Sequence, residues 1–332
     1  MSETFRAIYL TETDGKVAAE VTDVPTADLP AGDVTVDVHY STLNYKDGMI
    51  VNGLGKLVRE YPHVPGIDFS GVVSASDDPR YKPGDEVLLT GWRVGEIHWG
   101  GLGQKARVKG DWLVPLPEGL DLKQAMAIGT AGFTAMLSVM ALEDHNCAKD
   151  EEKPVLVTGA AGGVGSVAVA LLAANGFPVA AVTGRAETHD YLKDLGATTL
   201  LSRDEAYAAP RGPLGKERWS GVIDNVGGEG LGALLLSVAY WGSVASVGNA
   251  GGIAFSTNVL PFLLRGINLL GIDSNTCPID RRVAAWGRLA KELDKGKLDA
   301  VTNVIALSET LEAANAILKG AVRGRTVVDV RA

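Results

Sequence analysis

A chain of 332 residues is long for one domain and comfortable for two, with enough interior to bury sizeable cores. Its 46% hydrophobic and 21% charged residues are ordinary for a globular protein, and a net charge of −9 argues against nucleic acid as the main partner. Two widely separated cysteines, Cys147 and Cys277, exclude a disulfide framework and a four-cysteine zinc cluster.

The chain opens on a strand pattern, Met1–Leu10, that lacks the apolar core of a secretory signal. Short β-like runs follow between Gly and Pro turns: Val34–Tyr40, Ser70–Val73, Glu86–Leu89 and Gln104–Val108. That spacing predicts an irregular β-barrel or sandwich. A boundary falls near Leu116–Leu120, ahead of a helical pattern over Leu122–Leu142. No apolar run reaches the roughly 18 residues a membrane helix needs, so a cytoplasmic protein without a membrane partner is expected.

The stretch from Pro154 to Gly165 carries the most information. A β-branched run leads into Gly159, Gly162, Gly163 and Gly165, then into the Ala/Leu-rich helix pattern Ser166–Leu172. This is the strand, glycine turn and helix that open a dinucleotide-binding unit. The glycines let the backbone approach a pyrophosphate, and the helix N-terminus offers free N–H groups. Gly162, Gly163, Val164 and Gly165 are therefore candidate cofactor-binding residues.

Asn175-Gly176-Phe177-Pro178 stops the helix, and Val179–Val182 reads as a second buried strand. An NAD enzyme places Asp or Glu after that strand to hold the adenosine ribose. Here the strand runs into Thr183-Gly184-Arg185. A hydroxyl and a guanidinium can bind a ribose 2′-phosphate that a carboxylate would repel, so NADPH is the expected cofactor. Arg203, after a third strand at Thr198–Leu201, is a second cation candidate. Gly221–Asn225, Ser243–Val247 and Ile267–Ile272 read as strands four to six of a doubly wound parallel α/β sheet. The loops Asp224–Gly228 and Val247–Gly251 suit close approach to a cofactor, with Asn249 and Ser274 as candidate contacts. Arg281–Leu293 and Ser308–Leu318 read as helices, and Gly324–Val330 as a final strand returning to the first domain.

Gly66-Ile67-Asp68-Phe69-Ser70-Gly71-Val72-Val73, Lys82-Pro83-Gly84-Asp85-Glu86-Val87 and Ala160-Ala161-Gly162-Gly163-Val164-Gly165 appear in an order that resembles the medium-chain dehydrogenase/reductase superfamily across essentially the whole chain. The resemblance implies a β-rich GroES-like barrel (residues 1–122 and 273–332) and a Rossmann NADPH-binding domain (123–272). The Ala-Ala-Gly-Gly-Val-Gly form is similar to the quinone-reductase-like, zinc-independent branch. Asn44-Tyr45-Lys46-Asp47, His98-Trp99-Gly100-Gly101, Gly110–Pro115 and Thr183-Gly184-Arg185 most resemble the NADPH-dependent acryloyl-CoA reductases, which make propanoyl-CoA. Where zinc-dependent members carry a catalytic His–Glu pair and a Cys, this chain has Ile67-Asp68 and Asn44, so no metal is implied. A homodimer is implied too, built edge to edge through Rossmann sheets with Ile267–Ile272 as a suitable edge.

Reducing an α,β-unsaturated thioester puts hydride on the β-carbon and negative charge on the thioester oxygen. The segment from Asn44 to Asp47 is the best catalytic candidate. Asn44 offers an amide donor, Tyr45 a phenol that positions the cofactor or donates to the oxygen, and Asp47 a carboxylate that orients neighbours or caps a helix. Arg323 and Arg325 are candidate cations for the phosphates of coenzyme A, with Arg281, Arg282 and Arg288 weaker and expected on a polar helix face. Trp92 and Trp99 either wall a dry acyl pocket or pack in the barrel, and Trp112 reads as barrel core. Two other readings stay open: a quinone or enone reductase on the same scaffold, and an NADPH-binding protein without turnover.

Overall fold

The computed structural model describes residues 3–332, so Met1 and Ser2 of the first expected strand lie outside the described residues. The chain forms two compact units. One contains residues up to Thr130 with Asn275–Ala290 and Lys295–Ala332; the other contains Ala131–Ser274 with Lys291–Asp294.

In the first unit β1 (Thr4–Thr13) and β2 (Lys16–Pro25) form an antiparallel hairpin. The second of these strands was not anticipated. Its turn, Asp14-Gly15, has φ of 53° and 75°, the left-handed pair that a two-residue hairpin turn requires. Then come β3 (Val34–Thr42), α1 (Tyr45–Val51), β4 (Asp68–Ser76), β5 (Glu86–Thr90), β6 (Lys105–Val108) and β7 (Val114–Pro115). β3 pairs with β4 and β6, β4 with β5, and β5 with β7, all antiparallel. Inward-facing Ile8, Val36, Phe69, Leu89 and Val108 fill the interior of this barrel.

Helix α2 (Leu122–Asp144) corrects one expectation. By length and composition it could cross a membrane, with a mean hydropathy of 1.7 over its most apolar window. Yet 89% of that window is buried inside the protein, and Gly129 (φ 52°, ψ −162°) breaks the helix near its start. Its apolar surface is core surface.

The second unit alternates strand and helix: β8 (Val155–Val157), α3 (Gly163–Ala174), β9 (Val179–Val182), α4 (His189–Leu195), β10 (Thr199–Leu201), α5 (Arg203–Ala206), β11 (Trp219–Asp224), α6 (Gly228–Leu235), β12 (Val238–Ser246), α7 (Leu260–Arg265) and β13 (Asn268–Gly271). The strands lie in the order β10-β9-β8-β11-β12-β13, all parallel. The order reverses between β8 and β11, the switch point where such sheets bind ligands.

The tail adds α8 (Ile279–Glu292), α9 (Lys295–Ala300), β14 (Thr302–Ala306), α10 (Thr310–Leu318) and β15 (Arg325–Asp329). β14 was not anticipated. β15 pairs with it in parallel and with β3 antiparallel, which sews the tail into the first unit's sheet. Arg282 on α8 is fully buried rather than on a polar face. Its guanidinium donates to the Thr90 carbonyl at 2.6 Å and the Thr90 hydroxyl at 2.9 Å, and lies 4.9 Å from the Trp92 ring centre.

Candidate active site

In the first unit, β3 ends at Thr42 and the chain turns at Asn44, the N-cap of α1. The Asp47 carboxylate accepts from the backbone N–H of Asn44 at 2.8 Å and from that of Ile67 at 3.0 Å. It thus fastens the first turn of α1 to the segment entering β4. Asn44 donates its amide Nδ2 to Asp47 at 3.2 Å and to Asp68 at 2.9 Å. Asp68 also accepts from the Thr130 backbone N–H at 2.8 Å and from the Thr130 hydroxyl.

Both carboxylates are fully buried. Burial and the neighbouring charge of Asp68 push Asp47 up to about 7, against the pull of its hydrogen bonds. Burial raises Asp68 as well, while the Thr130 and Asn44 donors and the Arg325 guanidinium hold it down. One role expected from the sequence changes here. Asn44 has both amide hydrogens committed to carboxylates, so it is not a donor to substrate. Asp47, inaccessible, orients its neighbours and caps α1.

Tyr45 follows Asn44 and is 59% exposed, the one exposed residue of the segment from Asn44 to Asp47. Lys46 pairs at 2.9 Å with the buried Glu96. Glu96 lines a pocket of about 440 Å³ with Tyr61, His63, Ile97, His98 and Trp99. Trp92 and Trp112 pack against the barrel core, and the His98 ring nitrogen meets the Arg107 carbonyl at 2.7 Å.

In the second unit, β8 runs into a turn in which Gly159 has φ 57°, and Gly162 is the N-cap of α3. A Cβ on Gly165 would collide with the Gly159 carbonyl and stand 2.7 Å from the Ala160 Cα. Gly162 is exposed, and Gly163 and Val164 are half-buried at the first turn. Thr158 donates its hydroxyl to Asp224 at 2.6 Å and accepts from the Asn225 N–H at 2.9 Å, joining this turn to the loop after β11. The Asn225 Oδ1 beside it is buried with no hydrogen-bond partner among the described residues. A close-packed glycine turn at a helix N-terminus, with an unsatisfied acceptor next to it, fits the diphosphate and sugar of a dinucleotide.

At the end of β9 the Thr183 hydroxyl is buried, accepting from the Arg185 N–H at 3.1 Å and meeting the Thr188 hydroxyl at 2.9 Å. It shapes the turn that carries Arg185. Glu187 lies in the following helical turn, not at the strand end. Arg203 is exposed at the start of α5, Asn249 is exposed in the loop after β12, and Ser274 is half-buried after β13.

The description "Alcohol dehydrogenase GroES-like domain" matches residues 30–118, and "Zinc-binding dehydrogenase" matches residues 163–289. The chain is 59% identical to the acrylyl-CoA reductase AcuI of Ruegeria pomeroyi, over 97% of each protein. The chain belongs to the medium-chain dehydrogenase/reductase superfamily. Among solved structures it resembles the yhdH oxidoreductase of Salmonella enterica in complex with NADP, at 53% identity and a TM-score of 0.94, covering 98% of this chain and 99% of that one. It also resembles Bacillus subtilis yhfP with NAD bound, at 44% identity and a TM-score of 0.95, covering 99% and 100%.

Zinc-binding members of the superfamily need three or four N, O or S ligands in one array. Here Ile67 is apolar, and Asn44 faces Asp68 with an amide N–H. No group of three or more His, Cys, Asp or Glu residues that could hold a metal occurs among the described residues. The residues present do not fit zinc.

The tail arginines separate. Arg323 is exposed ahead of Gly324, whereas Arg325 is buried and donates to the Ala127 carbonyl and the Thr42 hydroxyl, both at 2.9 Å. Arg325 is therefore corrected from a surface phosphate ligand to a buried counter-charge. Sequence reasoning missed Asp68 and Thr130 as site residues. A carboxylate between Ile67 and Phe69 in a core strand was the available signal.

Proposed function

We propose that this chain reduces the carbon–carbon double bond of acryloyl-CoA to give propanoyl-CoA with NADPH, in the cytoplasm, as a homodimer and without zinc. The observation that carries the reading is its likeness, over nearly the whole length of both chains, to an acrylyl-CoA reductase. In this reading residues 1–122 and 273–332 are the GroES-like catalytic domain, and residues 123–272 bind NADPH.

NADPH, when bound, supplies the hydride. Backbone groups of Gly162, Gly163, Val164 and Gly165 hold its pyrophosphate at the start of α3. Arg185 and Arg203 hold the 2′-phosphate, with Thr183 and Gly184 shaping the turn between strand and guanidinium. Asn249 and Ser274 are further cofactor contacts. Tyr45 donates its hydroxyl hydrogen to the cofactor or to the thioester oxygen as negative charge builds there, a role that rewards a donor fixed in advance. Arg323 binds a phosphate of coenzyme A.

Steady-state NADPH oxidation with acryloyl-CoA, crotonyl-CoA and a simple quinone tests the reading. Acryloyl-CoA is expected to have the highest kcat/KM. A faster quinone would make the chain a quinone reductase, and tight NADPH binding without oxidation by any acceptor would make it a binding protein.

A further inference from the structure

We propose that Asp68 is a positioning residue for the reaction, fixing the amide of Asn44 and through it the first turn of α1 that presents Tyr45. The inference rests on the reading of Tyr45 as a group that meets the ligands.

Three donors converge on the two oxygens of Asp68: the Asn44 amide at 2.9 Å, the Thr130 N–H at 2.8 Å and the Thr130 hydroxyl. The Thr130 N–H points there because the chain leaves helical geometry at Gly129, whose φ of 52° suits glycine. A Cβ at Gly129 would stand 2.7 Å from the Arg325 Nη2, 2.7 Å from the Thr42 Cγ2 and 3.0 Å from the Asp68 Oδ2. Glycine is thus what lets the guanidinium, the helix break and the carboxylate meet.

Stability alone gives little reason to bury such a set, since apolar replacements of buried charge networks are often neutral or stabilising. What the network does is fix a direction. Asn44 has one N–H toward Asp68 and one toward Asp47, whose second oxygen takes the Ile67 N–H at 3.0 Å. The N-cap of α1 is thereby tied to the start of β4 through two carboxylates. Tyr45 is mostly exposed and little held by its own packing. Its placement is inherited from the residue before it.

The test is a double-mutant cycle on the full-length enzyme: Asp68→Asn, Asn44→Ala and the two combined. Asp68→Asn leaves one acceptor oxygen for three donors. A positioning variant can cost no more than losing the hydroxyl it positions, so kcat should fall about tenfold, and no further than in Tyr45→Phe, in each single variant. The combined variant should lose no more than either single one. Additive losses, or an unchanged kcat in Asp68→Asn, would overturn the proposal. If Asp68→Asn does not fold, Asp68→Asn with Arg325→Met removes both buried charges. Recovery of thermal stability with kcat still low supports positioning, and recovery of both refutes it. A readout independent of substrate comes from 3-fluorotyrosine labelling, with the Tyr45 resonance assigned by its loss in Tyr45→Phe. That resonance should move in both Asp68→Asn and Asn44→Ala. If it stays in place, the proposal fails even where the substrate assignment holds; if it moves without any turnover, only the assignment fails.

Discussion

Arg203 reaches over the turn that ends β9, so that a Cβ on Gly184 would stand 3.3 Å from the Arg203 Nε. Arg185 follows one residue later, its N–H held by Thr183. Two cations, Arg185 and Arg203, thus lie at the turn that follows β9. Arg185→Ala should weaken NADPH binding about tenfold or more, since hydrogen bonds to charged groups contribute roughly 1.5–3 kcal/mol. NADH binding should barely change, and Arg203→Ala should act in the same direction. Calorimetric titration with both nucleotides decides it; equal losses would take the 2′-phosphate away from this turn.

Tyr45→Phe removes one hydroxyl from a side chain that is 59% exposed. Thermal stability should stay within about 0.5 kcal/mol of the parent, as for most surface changes. The value of kcat/KM should fall about tenfold or more if the phenol donates to developing charge or to the cofactor. Unchanged kinetics would remove the hydroxyl from the mechanism.

The parts of this protein that were legible in sequence are those set by local pattern. Val155–Gly165 announced strand, turn and helix, and Thr183-Gly184-Arg185 announced the basic end of β9. The β1–β2 hairpin was missed although Asp14-Gly15 is a strong turn signal; Lys16–Pro25 alternates but carries few large apolar residues. β14 was missed because Thr302–Ala306 is short and only half-buried, a strand by virtue of its pairing with β15. The burial of Arg282 and Arg325 was illegible for a different reason. Their partners, Thr90, Ala127 and Thr42, lie about 190 residues or more away in the chain, and a charged side chain is buried only where such partners wait. Likewise the direction of the Asn44 amide is set by Asp68, 24 positions on.

The donor set around Asn44, Ile67 and Asp68 also makes a prediction about metal. Dialysis against a chelator should leave kcat unchanged, and elemental analysis of the active protein should find far less than one zinc per chain. Stoichiometric zinc whose removal abolishes turnover would contradict the hydrogen-bonded arrangement of Asn44 and Asp68.

At the edge of the parallel sheet, β13 pairs with β12 and presents its other side. Trp241 is 69% exposed and Leu263 72% exposed in the same unit. An unpaired edge with apolar neighbours invites a second copy. Leu269→Lys in β13 should shift the protein from dimer to monomer in sedimentation velocity, because charge on an edge strand opposes strand pairing. A parent protein that is monomeric at micromolar concentration would refute the assembly.

Asp47 makes stability depend on pH with a definite sign. In the folded chain its carboxyl is pushed up to about 7, first by burial and then by the charge of Asp68. In the unfolded chain an aspartate ionises near the ordinary value of about 3.9. Between those two values the folded state holds more protons than the unfolded state, so stability falls as pH rises. The contribution is fully present below about pH 4 and has gone once pH passes about 7. Asp68, also raised, acts in the same direction. Asp47→Asn is neutral at every pH and should flatten the profile by about 1 kcal/mol per pH unit across this window. The Asn44 and Ile67 N–H groups meet different oxygens of Asp47, and the amide puts an NH2 donor in place of one of them, so the variant should also be less stable at pH 4, where the parent carboxyl is protonated. Urea unfolding of both proteins at several pH values between about 4 and 7 separates these effects, because groups common to both cancel in the difference. Parallel profiles would mean that Asp47 stays ionised in the folded protein throughout, with its hydrogen bonds outweighing burial and the charge of Asp68.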